Sequence, residues 1–237
     1  KVVNRYKVAQ ISTPLFYYRQ HARSLSSDRT ELLEARARIK RALVERTEGS
    51  VTPRAVAVIG TKNTYEDMPN VVLNPLAGRP LIDYTLDAAL AVQTLDRIVV
   101  STDDEEVIRY CEEHYPTVAT RLRPSELSAL TVREEEIILD AIGTLEDEGY
   151  ASDIVVSLGV HNPLRTPSEV QKAVDTLLLY DVDLVLSVHE NHHLYYVHGE
   201  RGLEPLNPAM HRRVRVEREG LFEGNGAVRV YWRDTLD

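Results

Sequence analysis

The loop that follows the first strongly hydrophobic strand carries the residues most suggestive of chemistry. The β-branched run Ala55–Ile59 leads into a loop that contains Lys62, Glu66 and Asp67, before an amphipathic helix from about Pro80. In an α/β fold, such a loop can hold the phosphates of a nucleotide with backbone N–H groups and basic side chains. Because Lys62 is the one lysine of this loop and two carboxylates accompany it, the frame of a phosphate loop is present without most of its positive charge.

Two other places offer charged side chains at the start of a helix. Asp103 and Asp104 follow the second predicted strand, where carboxylates stabilise a helix N-terminus by a few tenths to about 1 kcal/mol even without a ligand. Arg165 follows Pro163 just before another helix, where it can contact an anionic ligand or pair with an acid such as Glu169. At Asp103 and Asp104, and at Arg165, a ligand-binding role and a purely structural role both stay open.

Metal-binding residue types are present, but their spacing does not predict a metal site. Five of the eight histidines lie within residues 189–211, and no cysteine is near them in sequence. This spacing matches no ordered zinc pattern. Cys111, the single cysteine, falls in a helical pattern and is predicted to be structural. The five histidines are His189, His192, His193, His198 and His211.

Length and composition predict a globular protein with one sizeable core. The chain has 237 residues, 43% of them hydrophobic. No apolar run approaches the roughly 20 residues of a membrane span, so we expect no membrane partner. A single cysteine cannot form an internal disulfide, and the chain shows no signal-peptide pattern. These features predict a cytoplasmic location.

Charge divides the chain into two regions. Residues 1–50 carry 11 Lys and Arg against 5 Asp and Glu, whereas residues 51–237 carry 17 against 32. The acidic region disfavours nucleic acid as a partner. The basic region is either a solvated helix face or an arm that contacts an acidic surface.

The pattern of hydrophobic residues predicts the elements that must position the charged groups. After Pro53, strand and helix patterns alternate, which is typical of a mostly parallel sheet with helices on both faces. Strands are predicted near Ala55–Ile59, Arg97–Ser101, Asp153–Leu158, Leu184–Val188 and Ala227–Tyr231. Helices are predicted near Leu81–Ala91, Glu105–Glu113, Arg133–Glu146 and Pro167–Tyr180.

The first 52 residues are predicted to be an extension that includes one helix. Asp28 and Glu31 have the spacing of a capping box, and apolar residues recur at helical intervals from Arg29 to Glu45. Within this extension, the segment PLFYYRQHARSLS (Pro14–Ser26) resembles the end of the catalytic domain of family 2 glycosyltransferases. The resemblance implies that residues 1–52 are a linker, or the tail of an upstream glycosyltransferase domain, followed by a second domain at 53–237.

Five segments occur in an order that resembles the cytidylyltransferases that activate sialic acids and related 2-keto sugars as CMP-sugars. The resemblance covers about residues 54–236. The segments are PLAGRPLIDYTL (Pro75–Leu86), DRIVVSTDDEEVIRYCEE (Asp96–Glu113), RPSEL (Arg123–Leu127), NPLRT (Asn162–Thr166) and GNGAVRVYWRDTL (Gly224–Leu236).

The resemblance implies a three-layer α/β nucleotidyltransferase fold, Rossmann-like and of the GT-A type, with the N-terminal helix as an extension. In the family, a sugar hydroxyl attacks the α-phosphate of CTP, pyrophosphate leaves, and Mg²⁺ screens the developing charge. Family analogy makes Lys62 a candidate catalytic residue and places Arg123, Arg165, Asn225 and Asp103 at nucleotide or sugar contacts. The segment 190–213 falls where the family has a substrate-capping and dimer-forming segment, so a homodimer is expected.

The chain departs from the family pattern at the phosphate loop and near the sugar. In this loop, only Lys62 keeps a positive charge of the family pattern. Glu66 stands at a lysine position and reverses its charge. Asn70–Val72 replace an Arg-Lys-Asn triplet. Gly159 stands where the family has a Gln near the sugar. Leu130 stands where an acidic residue is expected. The second metal-binding motif of the family lies beyond the strand that ends this sequence, so a complete Mg²⁺ site cannot be assembled by analogy.

Three functions follow from these observations. The departures favour a cytidylyltransferase-like domain that is impaired or inactive toward CTP and serves as a dimerisation or docking module beside a glycosyltransferase. The alternative is an active CTP:2-keto-sugar nucleotidylyltransferase that uses Mg²⁺ and forms a CMP-sugar and pyrophosphate. A third hypothesis is that the site keeps another ligand, such as a nucleotide-sugar.

Overall fold

The structure is a computed structural model of the 237-residue chain. It describes residues 38–39, 42, 53–65, 68–129, 131–200, 202–218 and 220–236. The chain divides into two units, residues 1–42 and 43–237. In the first unit Arg38, Ile39 and Ala42 are helical, as predicted. The other residues of that predicted helix, and the segment that resembles a glycosyltransferase, lie outside the described residues.

The second unit is built on one six-stranded sheet with the strand order β7-β6-β1-β8-β12-β9. The strands of this sheet are β1 (Ala55–Gly60), β6 (Leu95–Thr102), β7 (Ala119–Leu122), β8 (Ile154–Ser157), β9 (Leu184–Asn191) and β12 (Leu221–Trp232). Short pairs add β2 (Thr64–Tyr65) with β3 (Met68–Pro69), β4 (Pro75–Leu76) with β5 (Arg79–Pro80), and β10 (Tyr196–Gly199) with β11 (Gly202–Pro205). The helices are α1 (Leu81–Leu90), α2 (Glu105–His114), α3 (Glu134–Asp147) and α4 (Pro167–Tyr180).

The sheet is mostly parallel, as the alternating pattern predicts. Strands β7, β6, β1 and β8 run parallel, whereas β12 runs antiparallel to both β8 and β9. Because parallel strands need a crossover, the helices α1, α2 and α3 fall between them in the chain. Their carboxyl ends therefore lie at one edge of the sheet.

Alternation along β1 places hydrophobic side chains on both faces of the sheet. Ala55, Ala57 and Ile59 join a core that also contains residues of α1, α2 and α4, including the buried thiol of Cys111. Val56 and Val58 join a second core with the apolar side of α3. A strand buried on both faces reads as a continuous β-branched run, which is why β1 is apparent in the sequence. The predicted three-layer α/β fold is thus confirmed.

The helices begin where their sequences predict. Asp104 is the N-cap of α2, and its carboxylate accepts from the Glu106 backbone N–H at 2.8 Å. At the start of α4, Thr166 and Glu169 form a reciprocal capping box, with Pro167 in the first helical turn. The suggested pairing of Arg165 with Glu169 is not what the structure shows, because the Glu169 carboxylate caps Thr166 instead.

Two parts of the sheet were not predicted. Strand β7 is only four residues long, ATRL, and three of its side chains are half-buried, so it lacks the apolar run of the central strands. Strand β12 begins at Leu221, before the predicted Ala227, and its pairing with β9 shifts register between Gly224 and Arg229. None of the helices in the described part of the chain is both long enough and apolar enough to span a membrane.

Candidate functional site

A cavity of about 210 Å³ opens at the carboxyl edge of the sheet, where the central parallel strands end. Ligands of open α/β sheets bind outside the carboxyl ends of the strands, so this is the expected place for a nucleotide. We call it the first cavity. Its polar lining comes from β1 and β8, from the residues just beyond them, and from elements that pack there. These residues are Thr61, Lys62, Arg123, Glu134, Ser157 and His161.

The loop after β1 is held by carboxylates at the start of α2. The Asn63 backbone N–H donates to Asp103 Oδ1 at 2.7 Å, and the Asn63 side-chain amide donates to Asp104 Oδ2 at 2.9 Å. Beyond Asn63, the backbone of Thr64–Tyr65 pairs with Met68–Pro69 as a short hairpin. The segment that aligns with the family's phosphate loop therefore pairs with itself, which differs from an open nest of N–H groups.

Arg123 is buried beneath this loop, with 1% of its side chain exposed. Its guanidinium donates to the Thr61 carbonyl at 2.7 Å and to Ser128 Oγ at 3.2 Å, and it lies 3.8 Å from Asp103 Oδ2. A buried charge is tolerated when it is paired and hydrogen-bonded. These contacts fix the loop after β1 from below, so Arg123 supports the first cavity as well as lining it.

Glu134 brings a carboxylate to the first cavity at the start of α3. It accepts hydrogen bonds from Ser157 Oγ and from the guanidinium of Arg229. Burial lowers the pKa of Arg229, but the charges of Glu134 and Glu135 and the neighbouring Tyr231 together outweigh that effect, and the pKa is raised overall. Glu134 and Ser157 on the wall of the cavity thus form a charge-compensated network with Arg229.

A second cavity of about 610 Å³ lies beside the first, between α4 and the strands β9 and β12. Its charged lining residues are Arg165, Glu169 and Lys172, so cations outnumber acids there. Asn225 also lines it, and its side-chain oxygen accepts from Ser187 Oγ at 2.5 Å and from the Ala227 backbone N–H at 3.1 Å. The second cavity is therefore suited to a polar, anionic ligand.

Arg165 ties the end of β8 to β12. It donates to the Ala227 carbonyl at 2.7 Å and to the Gly159 carbonyl, and its side chain is buried. Burial lowers the pKa of Arg165 to about 10, opposed by the nearby Glu169. Its Nη1 atom is buried without a hydrogen-bond partner in the structure. One more acceptor, such as a ligand carboxylate, would satisfy it.

Gly159 is in close contact with Gly226 across the boundary between the two cavities. A Cβ atom built on Gly159 would lie 2.5 Å from the Gly226 carbonyl oxygen. Gly226 itself has φ of 67°, in the left-handed region that favours glycine. Glycine thus stands at a point where two backbone segments approach closely, at the position where the family resemblance implies a Gln.

The structure gathers the predicted site residues around two neighbouring cavities. Lys62 and Arg123 line the first, Arg165 and Asn225 line the second, and Asp103 holds the loop above the first. Their roles in binding or catalysis stay predictions. Sequence reasoning missed Glu134 and the shared residue His161, although the segment GVHNPLRT does place a histidine directly after β8.

Among the residues that the structure describes, metal-binding side chains do not converge at either cavity. Within the described residues, no three His, Cys, Asp or Glu side chains are grouped closely enough to hold a metal ion. The carboxylates of Asp103, Asp104 and Glu134 already accept hydrogen bonds from protein donors. Mg²⁺ is usually held by one or two carboxylates together with substrate phosphates, so its binding here with a nucleotide stays a prediction.

A larger cavity, of about 790 Å³, lies at the opposite edge of the sheet, near the start of β8 and the end of β12. Its lining includes Asp153, Asp181, Asp183 and Trp232. Size alone does not make it the functional site, because ligands of α/β sheets bind at the carboxyl edge.

Comparison with known proteins agrees with the geometry. A family model described as cytidylyltransferase matches residues 66–203. The N-acylneuraminate cytidylyltransferase of Streptococcus agalactiae serotype III (strain NEM316) is 30% identical over 139 residues, which cover 58% of this chain and 32% of that protein. The CMP-N,N'-diacetyllegionaminic acid synthase of Legionella pneumophila is 29% identical over 122 residues, which cover 52% of each chain. This chain thus spans about a third to a half of the curated relatives that it matches.

Solved structures share the fold. A CMP:2-keto-3-deoxy-manno-octonic acid synthetase complexed with CTP superposes with a TM-score of 0.56 at 18% identity, covering 77% of this chain and 76% of that one. A 4-diphosphocytidyl-2C-methyl-D-erythritol synthase gives a TM-score of 0.54 at 9% identity, covering 76% and 75%. At these identities the likeness establishes the fold alone. With the family model matching more than half of its residues, the chain belongs to the cytidylyltransferase family.

Proposed function

We propose that residues 53–237 form a CMP-sugar cytidylyltransferase domain whose transfer from CTP is impaired. The nucleotide occupies the first cavity and an acidic sugar the second, and transfer of CMP releases pyrophosphate. The observation that carries this proposal is that two adjoining cavities lie next to a loop that has almost no positive charge. The cavities support nucleotidyl transfer, and the loop accounts for its impairment.

The impairment follows from electrostatics. A triphosphate carries about four negative charges, and charge grows on the leaving group during transfer, so a fast enzyme surrounds it with cations and oriented N–H groups. Here Lys62 stands on a loop that is fixed by Asp103 and Asp104. Each missing charge-assisted hydrogen bond removes about 1.5–3 kcal/mol of binding. Loss of several such bonds makes binding of CTP weak and transfer slow.

The second cavity supports an acidic sugar as the acceptor. Arg165 and Lys172 bring two cations to its lining against the single acid Glu169. The buried Nη1 of Arg165 supplies a donor for a carboxylate oxygen. The relatives named for N-acylneuraminate and diacetyllegionaminic acid act on sugars of this chemical class. We therefore expect a 2-keto sugar acid to be the acceptor.

Isothermal titration of CTP into the full chain at low salt, with Mg²⁺ as the counterion of the nucleotide, tests this function. We expect a dissociation constant in the millimolar range. With radiolabelled CTP and N-acetylneuraminate, we expect slow formation of CMP-sugar above the background rate. Micromolar binding with rapid pyrophosphate release would contradict the impairment. Tighter binding of a UDP-sugar than of CTP would assign the site to another nucleotide.

Restoring one cation to the loop should strengthen CTP binding. In the family resemblance, Val71 stands at a lysine position, next to Asn70, whose N–H donates to the Asn63 carbonyl at 2.8 Å. A Val71→Lys substitution should lower the dissociation constant for CTP about tenfold, which corresponds to one charge-assisted hydrogen bond. Thr117→Lys adds the same charge at the amino edge of the sheet, before β7. Equal effects of both variants would mean that the gain is not local to the loop.

Exposed apolar side chains favour a second function, association with another copy of this chain. They lie on the edge strand β9, on β11 and at the start of β12, and exposed apolar patches mark interfaces. Docking of an adjacent glycosyltransferase is the alternative occupant of this surface. These side chains are Leu184, Leu186, Val188, Leu203, Leu221 and Phe222.

A homodimer through this surface should depend on its most exposed members. Leu203 is 67% exposed and Phe222 is 68% exposed, so their replacement costs the folded monomer little. We expect the double variant Leu203→Ser with Phe222→Ser to weaken the dimer at least tenfold in sedimentation velocity. The control Met68→Ser removes a side chain of 60% exposure from the β2–β3 hairpin. A wild-type chain that sediments as a monomer at every concentration would contradict the dimer.

A further inference from the structure

We propose that Ser187 is a positioning residue of the second cavity. Its hydroxyl holds the side-chain amide of Asn225 so that the amino group of the amide is presented to the acceptor. The inference rests on the proposed function, because it concerns the acceptor that this function assigns to the second cavity. It goes beyond that function by assigning an orientation to the amide and by stating which chemical group of a ligand fits it.

The inference starts from an irregular part of the sheet, where β12 runs beside β9. The pairing of these strands shifts register between Gly224 and Arg229. Residues 225–228 of β12 therefore lie opposite the single residue Ser187. A bulge of this kind interrupts the ladder of backbone hydrogen bonds and can redirect a side chain next to a binding site. Because Ser187 and Asn225 both line the second cavity, the bulge forms part of its wall.

The hydrogen bonds across this bulge define which group donates at each step. The Val228 backbone N–H donates to Ser187 Oγ at 2.9 Å, so the hydroxyl oxygen is an acceptor there. The hydroxyl proton is donated to Asn225 Oδ1 at 2.5 Å, and the Ala227 backbone N–H donates to the same oxygen at 3.1 Å. Because a backbone N–H can only donate, the amide atom that faces Ala227 is the oxygen. Two donors thus fix the orientation of the amide.

The amino group of Asn225 remains for a ligand. The side chain of Asn225 lines the second cavity, and among the described residues none accepts a hydrogen bond from its Nδ2 atom. An amide amino group can only donate, so it fits an oxygen of the ligand, such as a hydroxyl or carbonyl oxygen. In the proposed function, the sugar carboxylate binds Arg165, and a second oxygen of the acceptor binds Asn225.

Ser187 is needed because an amide held by one bond alone is free to turn over. A turned amide presents its carbonyl oxygen to the ligand, and two acceptors that face each other form no hydrogen bond. Asn225 is exposed, so packing does little to hold its side chain. The Ser187 hydroxyl fixes the amide before the ligand binds, which reduces the entropy lost on binding.

Nuclear magnetic resonance of the full chain tests the orientation without any ligand. The side-chain amide signal of Asn225 is assigned by its absence from the spectrum of Asn225→Asp. In the wild-type chain and in Ser187→Thr, which keeps the hydroxyl, we expect the order parameter of this amide to be that of a rigid group. In Ser187→Ala, it should fall below about 0.6, the flexible range. The control Ser152→Ala removes a hydroxyl from the larger cavity at the opposite edge of the sheet.

Titration of N-acetylneuraminate into the same variants tests the role of the amide in binding. Ser187→Ala should raise the dissociation constant about fivefold, the effect of losing one hydrogen bond. Ser187→Thr and Ser152→Ala should bind as the wild-type chain does. Asn225→Asp keeps the oxygen that accepts from Ser187 but replaces the amino donor by a charged acceptor. It should raise the dissociation constant more than about tenfold.

The outcomes separate this inference from the proposed function. An unchanged order parameter in Ser187→Ala would overturn the positioning role and leave the proposed function standing. That holds even where the affinity for the sugar falls, because the hydroxyl would then act on the ligand directly. A mobile amide with unchanged affinity would overturn the role of Asn225 in binding and again leave the proposed function standing. Failure of N-acetylneuraminate to bind the wild-type chain would overturn both the assigned acceptor and the inference.

Discussion

Arg165→Ala should lower the free energy of unfolding by about 3–5 kcal/mol, because it removes two hydrogen bonds from a charged donor, each worth about 1.5–3 kcal/mol. The guanidinium joins the Gly159 carbonyl at the end of β8 to the Ala227 carbonyl on β12. Truncation leaves both carbonyls, which belong to half-buried residues, without their donor, and an acceptor that loses its partner away from water is destabilising. Because Arg165 lines the second cavity and donates to the carbonyl of Gly159, which lines the first, the loss should also disorder the boundary between them.

Urea denaturation followed by circular dichroism measures this loss. Arg165→Lys keeps the charge but cannot span two carbonyls with a planar fork, so it should recover only part of the stability. The matched control is Arg133→Ala, which removes an exposed arginine paired with Glu136 at 3.2 Å. That pair should contribute less than about 1 kcal/mol. Equal losses for Arg165→Ala and Arg133→Ala would show that the buried guanidinium does not hold β8 to β12.

Gly159→Gln, which restores the residue that the family pattern has at this position, should destabilise the domain by about 2–4 kcal/mol. Its Cβ would lie 2.5 Å from the Gly226 carbonyl oxygen, so one backbone segment must move. The same movement would separate the Gly159 carbonyl from Arg165. We therefore expect the substitution to reduce transfer, although it brings the chain nearer to its relatives.

Two further variants isolate the steric cause. Gly159→Ala adds only the Cβ atom and should account for most of the loss of Gly159→Gln. Gly143→Ala is the control, because a Cβ atom there meets no atom within 4 Å. Gly143 lies inside α3, where alanine is favoured over glycine by about 1 kcal/mol, so this variant should be more stable than wild type. Greater stability of Gly159→Ala in thermal unfolding would contradict the close contact.

The elements that the sequence predicts well are those whose burial or helix start leaves a local pattern of residues. Strand β1 is buried on both faces, so it appears as a continuous β-branched run. The start of helix α4 is marked in the sequence by the N-cap Thr166 and by Pro167 in the first turn. In both cases the decisive forces act between residues that are close in sequence, and the predicted bounds of α4 match the structure.

The elements that escape prediction depend on partners far away in the chain. Strand β7 has little apolar character of its own and is a strand because β6 offers it an edge to pair with. The early start of β12 depends on its pairing with β9, from Leu221 opposite Asn191 onward. Backbone hydrogen bonds to a neighbour leave no signature in a single sequence.

At the site too, contacts between residues close in sequence are predicted and contacts between distant residues are not. The sequence places Asp104 at a helix N-terminus, and it is the N-cap of α2. Its second contact, to Asn63, joins residues 41 positions apart and could not be inferred from spacing. The alternative partner suggested for Arg165 was wrong, because the nearer backbone carbonyls of Gly159 and Ala227 take its hydrogens.

The buried thiol of Cys111 can report local unfolding of the protein around it. Burial raises the pKa of this thiol to about 12, so the thiolate that reacts with alkylating reagents is almost absent from the folded state. Cys111 is also 0% exposed, on the side of α2 that faces the core. Labelling therefore requires the helix to leave the sheet, and a single cysteine means that every labelled molecule records one such event. Under native conditions, the labelling rate would measure how often this side of the core opens.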